Sequence, residues 1–120
     1  MADDAGMLAH LRRAQYVDNE FSVSITVVGE LYYAVYASRR HLDNRQRLTR
    51  LLNAVNIYPF DHSEAEEFGR IQAEQKAKGL PIPPLDAQIA AVARYHGLTV
   101  LTADKHFGMV DGLLTENWLT

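Results

Sequence analysis

Short runs that read as buried strands alternate with longer segments that read as helices, and this alternation restricts the fold more than any other feature of the chain. Phe21-Ser22-Val23-Ser24-Ile25 alternates apolar and polar side chains, the pattern of a strand. Ser24 or Thr26 can cap the next helix, which is expected to reach about Arg39; Arg39, Arg40 and His41 suit a helix carboxyl end. A helix from about Asn44 to Ala54 turns Leu48, Leu51 and Leu52 inward and Arg45, Arg47 and Arg50 largely outward. Asn56-Ile57-Tyr58-Pro59-Phe60 reads as a second strand, with Pro59 at its exit. Ser63-Glu64-Ala65-Glu66 matches a capping box and opens a helix that carries Phe68 and Ile71 and stops near Gly79. Leu80-Pro81-Ile82-Pro83-Pro84 is a stiff loop, because proline lacks the amide hydrogen and crowds the preceding turn. A helix from about Leu85 closes at the His96-Gly97 cap signal. Leu98 to Thr102 is a strand, Leu113-Leu114-Thr115 a last one, and Met7 to Ala14 a short leading helix. Such alternation predicts an α/β domain with a mostly parallel sheet. Right-handed crossovers bring the helix starts to the carboxyl edge of that sheet, where open α/β sheets hold their ligands.

With 120 residues the chain makes one domain, residues 1–120, around a single core. Its 48% apolar and 22% charged residues are those of an ordinary globule rather than a disordered chain. The absence of cysteine excludes disulfides, thiolate metal sites and cysteine nucleophiles. No apolar run is long enough to span a bilayer, and the acidic start Met1-Ala2-Asp3-Asp4-Ala5-Gly6 is unlike a signal peptide, so the default expectation is the cytoplasm. A net charge of -3 does not announce a nucleic-acid binder, yet a basic patch can lie beside an acidic pocket.

Three acids stand where apolar side chains or a strand end are expected. Helical spacing puts Glu30 on one stripe with Val27, Leu31 and Ala34, and Asp86 on one stripe with Ile89, Ala90 and Ala93. Asp104 follows the strand that ends at Thr102. A carboxylate inside an apolar stripe loses hydration, and a cation or strong hydrogen bonds must offset that loss. Taken singly, Glu30 reads as an early-helix acid, Asp86 as a cap and Asp104 as a turn residue. Taken together at one sheet edge, they are candidate ligands of a hard, oxygen-seeking cation. Lys105 reads as a solvated turn residue and His106 as a packed ring. Tyr32, Tyr33 and Tyr36 read as core or dimer contacts, and the arginines as a solvated face that can also meet phosphates.

Ser24-Ile25-Thr26-Val27-Val28-Gly29-Glu30-Leu31-Tyr32-Tyr33 resembles the second acidic motif of PIN-domain ribonucleases, especially the VapC toxins of type II toxin–antitoxin systems. Gly79-Leu80-Pro81-Ile82-Pro83-Pro84-Leu85-Asp86-Ala87-Gln88-Ile89-Ala90-Ala91 resembles the third. Leu101-Thr102-Ala103-Asp104-Lys105-His106-Phe107, then Gly112-Leu113 and Glu116-Asn117-Trp118-Leu119, resembles the end of that fold. The resemblance implies a three-layer α/β domain with a mostly parallel central sheet. It places Glu30, Asp86 and Asp104 among the carboxylates that bind Mg²⁺ or Mn²⁺, with the Thr102 hydroxyl beside them. It further implies metal-dependent endonucleolytic cleavage of RNA, a homodimer and a cognate antitoxin.

The family opens with a buried strand ending in an aspartate, whereas Met1 to Gly6 matches the loop before the second helix. The expectation is therefore a sheet without the family's first strand and first acid, with a weakened core or a strand recruited from elsewhere. Asp3 and Asp4 are expected to be solvated. Smaller departures are Leu85 before the aspartate, where Asn is frequent, and Pro83-Pro84 in place of Gly-Pro. The missing acid sustains an alternative, a catalytically impaired PIN-fold interaction module that binds an antitoxin or partner. A receiver-like domain is a third reading, but it lacks an acidic pair after an opening strand.

Overall fold

In the computed structural model, which describes residues 15–17, 21–102 and 104–116, five strands and four α-helices follow one another along the chain. They are β1 (Gln15–Val17), β2 (Phe21–Ser24), α1 (Ile25–Tyr36), α2 (His41–Leu52), β3 (Asn56–Tyr58), α3 (His62–Lys78), α4 (Pro84–His96), β4 (Thr99–Leu101) and β5 (Leu114–Glu116), with a 3-10 turn at Lys105–Met109. The strands form one sheet in the order β3-β2-β1-β4-β5. β2 pairs with β3, and β4 with β5, in parallel, Val23 standing beside Ile57 and Val100 beside Thr115. β1 fills the centre and runs antiparallel to both neighbours. Four of the five strands thus share one direction, as an α/β sheet requires. At the edge where β4 ends, the central position beside Leu101 is Gln15. The expected helix at Met7 to Ala14, Asp3, Asp4 and the Asn117-Trp118 motif lie outside the described residues.

α4 is the centre of the packing. Asp86, Ala87, Ile89, Ala90, Ala91, Val92 and Ala93 are all buried. Its alanines let neighbouring backbones approach closely, and α3 packs along it more extensively than any other element. α1 presents Val27, Val28, Leu31 and Val35 to the core, and α2 presents Leu48. Gln75 on α3 is fully buried, and its Nε2 donates to the Leu80 carbonyl at 2.9 Å, which fixes the proline-rich loop that leads to Asp86. Gly79, at φ 70°, closes α3 in the left-handed conformation that favours glycine.

Arg94, in the last turn of α4, ties three elements together. Its guanidinium lies 2.6 Å from Glu67 and 2.8 Å from Glu74 on α3, and donates to the Asp111 carbonyl at 3.0 Å before β5. The hydrogen bonds from Arg94 hold the Glu74 carboxyl below the usual carboxylate range.

Several local expectations shift. α1 ends at Tyr36, where the Ser38 hydroxyl donates to the Val35 carbonyl at 2.6 Å. Arg39 and Arg40 therefore lie between helices, and Arg40 pairs with Asp43 at 2.7 Å across the first turn of α2. The capping box on α3 is Asp61 with Glu64, two residues before the expected pair; Asp61 N–H donates to Glu64 Oε1 at 3.0 Å. Glu64 wins because His96 Nε2, from another helix, meets its other oxygen at 2.8 Å, whereas exposed Glu66 pairs with Arg70 along its own helix. Tyr33 (72% exposed) and Tyr36 are not core residues, and only Tyr32 is half-buried, stacked on Tyr36.

Candidate metal centre

The Pro83-Pro84 pair sets where α4 begins. Proline is tolerated in a first helical turn, where its missing amide hydrogen has no partner to lose, and Pro84 opens the helix. The Pro83 carbonyl accepts from Ala87 N–H at 3.0 Å. Asp86 then falls in the first turn, where the helix dipole favours an anion, and it is 0% exposed. Its three stripe mates Ile89, Ala90 and Ala93 are buried too, so the carboxylate does occupy a core-facing position.

Past β4, a ladder of hydrogen bonds at two-residue steps shapes the loop. Buried Thr102 accepts at Oγ1 from Asp104 N–H at 3.0 Å, and Asp104 Oδ1 accepts from His106 N–H at 3.0 Å. The Thr102 amide donates to the Glu116 carbonyl at 2.9 Å, anchoring this loop on β5. Phe107, fully buried, pins the 3-10 turn beneath.

This ladder brings Asp104 to Asp86. The His106 ring stands between them, with Nδ1 3.3 Å from Asp86 Oδ2 and 3.2 Å from Asp104 Oδ1. One ligand atom from each of the three residues lies within 4.8 Å of the others. Two carboxylates at such range repel unless positive charge lies near both, and an oxygen-rich donor set of this size fits a divalent cation.

Glu30 lies in the second turn of α1, half-buried. It is not one of the three clustered groups. It lines a neighbouring cavity of about 530 Å³ between α1 and α4, with Ile25, Thr26, Gly29, Tyr33, Leu85 and Gln88. Leu85 and Gln88 flank Asp86 on α4, and Thr26 Oγ1 donates to Gln88 Oε1 at 3.1 Å across the groove. Stripe position and strand end single out Glu30, Asp86 and Asp104 and the family resemblance adds Thr102, whereas His106 reads in the sequence as a packed ring. At 43% side-chain exposure His106 is half-open to solvent. The available signal was the two-residue step from Asp104, the spacing at which an aspartate carboxylate accepts from a backbone amide and closes a turn.

The sequence model of the PIN domain matches residues 5–113. The chain is 31% identical over 97 residues to the tRNA(fMet)-specific endonuclease VapC of Shigella flexneri, covering 80% of this chain and 74% of that protein. It is 35% identical over 98 residues to Ribonuclease VapC2 of Haemophilus influenzae, covering 81% and 74%. Its fold superposes on the DNA-bound VapBC complex of Salmonella typhimurium with a TM-score of 0.77 and 28% identity, over 81% of this chain and 74% of that one. Motif order, sheet arrangement and these likenesses agree: the chain belongs to the PIN domain family.

Proposed function

We propose that this chain is a metal-dependent endoribonuclease of the VapC kind, cleaving RNA phosphodiesters with Mg²⁺ or Mn²⁺ held by Asp86 and Asp104. The observation that carries this reading is the approach of these two carboxylates, through the His106 ring, to within ligand-sharing range beside the carboxyl end of β4. Relatives named as endonucleases and ribonucleases support the reaction class. A divalent cation at such a site supplies a water of lowered pKa and neutralises charge on the phosphate oxygens.

The chain's own residues do the positioning. Burial and the helix start hold Asp86 in one orientation. The Thr102 hydroxyl and the His106 amide hold the Asp104 backbone and carboxylate. Glu30, on α1 in the groove it lines with Leu85 and Gln88 beside Asp86, is the third acid in this proposal. Solved relatives described as VapBC, one of them as a member of the VapBC family of toxin-antitoxin systems, support a protein antitoxin as partner. We place the enzyme in the cytoplasm as a homodimer. Among the described residues no helix is long and apolar enough to cross a membrane.

Incubating the purified chain with structured RNA, initiator tRNA included, and with Mg²⁺, Mn²⁺ or a chelator tests the reading. Cleavage should need the cation and disappear in Asp86→Asn while that variant stays folded. Cleavage that persists in the chelator or in Asp86→Asn rejects it.

A further inference from the structure

His106 is the one member of the cluster that the carboxylate pattern does not account for, and its position is peculiar. Its ring nitrogen faces two acids from separate elements, Asp86 at 3.3 Å and Asp104 at 3.2 Å. Donor atoms each about 2.1 Å from one ion lie roughly 3.0 Å apart at a right angle and about 4.2 Å apart when opposed. The observed separations, all within 4.8 Å, are therefore close to those of ligands sharing one cation. The backbone also prepares the ring for this. His106 N–H is fixed to the Asp104 carboxylate, so the acid that would bind the ion also sets the imidazole's place.

We propose that His106 Nδ1 is itself a ligand of the cation, which makes the centre a mixed nitrogen–oxygen site that favours Mn²⁺ over Mg²⁺. The proposal rests on the nuclease reading above for the existence of the cation. Facing two carboxylates that only accept, the ring in its Nδ1–H tautomer is the form that can donate to them. With an ion between them, the neutral ring turns its Nδ1 lone pair to the metal and keeps its hydrogen on Nε2. Mg²⁺ binds oxygen and keeps its waters, whereas a transition ion gains from an imidazole ligand. His106 thus converts an acid pair that would suit either ion into a selective centre. The three donors come from α4, the β4 loop and the 3-10 turn, so ion binding also locks these segments together.

Pulsed electron paramagnetic resonance of Mn²⁺ bound to the purified chain reads the ligand directly. The bound ion should show nitrogen coupling that changes when histidine is supplied as the ¹⁵N form. The coupling should vanish in His106→Phe and survive in His96→Phe. Calorimetric titration should give a preference for Mn²⁺ over Mg²⁺ that falls by about tenfold or more in His106→Phe. The ¹⁵N comparison uses the unaltered protein and so does not depend on a variant's folding. Bound Mn²⁺ without nitrogen coupling, or with coupling unchanged in His106→Phe, overturns the proposal. If Asp86→Asn abolishes that same Mn²⁺ binding, the nuclease centre stands without a histidine ligand. No Mn²⁺ binding to the unaltered chain overturns both.

Discussion

Arg94→Met should cost this protein a large part of its stability. The substitution keeps an apolar stem of similar length along α4, so the loss comes from the guanidinium alone. Arg94 and Glu67 side chains are only 15% and 14% exposed, and the guanidinium gives Glu67 two hydrogen bonds, at 2.6 and 3.2 Å. Hydrogen bonds to charged groups contribute about 1.5–3 kcal/mol each, and a carboxylate left buried without its cation adds its own penalty. Arg70, 3.7 Å from Glu67, offsets part of this by moving closer. The Glu74 pair is more open to solvent and contributes under about 1 kcal/mol. The Asp111 carbonyl loses a charged donor worth about 1 kcal/mol. The net expectation is a loss of about 3–4 kcal/mol, a third or more of the stability of an ordinary domain. In urea, with a slope of about 1.5 kcal/mol per molar, the unfolding midpoint should fall by about 2 M with the slope unchanged. Adding Glu67→Gln should recover part of the loss, because no buried charge then lacks a partner. A midpoint shift below about 0.5 M, or simple additivity of the two changes, refutes the account of the Arg94 clamp.

Acid should destabilise the fold through Glu64 and Glu74. Burial alone would raise the Glu64 carboxyl, but hydrogen bonds from its own amide, from His96 and from Asp61 outweigh it and hold the group below 4.5; Arg94 does the same for Glu74. A depressed folded value contributes stability that is present above the ordinary value and lost as pH falls through the folded one. Urea midpoints should therefore drop between about pH 5 and 3, with a shallower drop in His96→Gln; a flat profile speaks against both pairs. Gly79→Ala should cost about 1 kcal/mol for its left-handed backbone, with no clash to add, since nothing lies within 4 Å of the new methyl. Gly79→Asn should cost less, and equal losses by thermal melting would mean that backbone strain is not the cause.

The helices were legible where periodicity and caps agree. The Asp86 stripe is buried at every expected position because α4 is covered on nearly all sides, so a 3.6-residue pattern maps directly onto its surroundings. The Glu30 stripe is only partly so: Val27 and Leu31 are buried while Glu30 opens into the groove. Features decided by distant partners were not legible. Asp61-x-x-Glu64 and Ser63-x-x-Glu66 fit the same capping pattern, and His96, brought up from another helix, selects the first. Tyr33 and Tyr36 share a helix with buried valines, but both are exposed, Tyr33 along the open groove between α1 and α4. β1 is three residues long, too short for a pattern to announce, yet it completes the sheet. His106 joined the site only when the 3-10 turn carried its ring against α4.

The central claim is that Asp86 and Asp104 hold one cation between them. A crystal grown with Mn²⁺ and measured at the manganese absorption edge tests it most directly. The account predicts an anomalous peak about 2.2 Å from Asp86 Oδ2 and from Asp104 Oδ1, absent in Asp86→Asn crystals. A peak elsewhere on the chain, with the gap between these two carboxylates featureless at a saturating ion concentration, would contradict it.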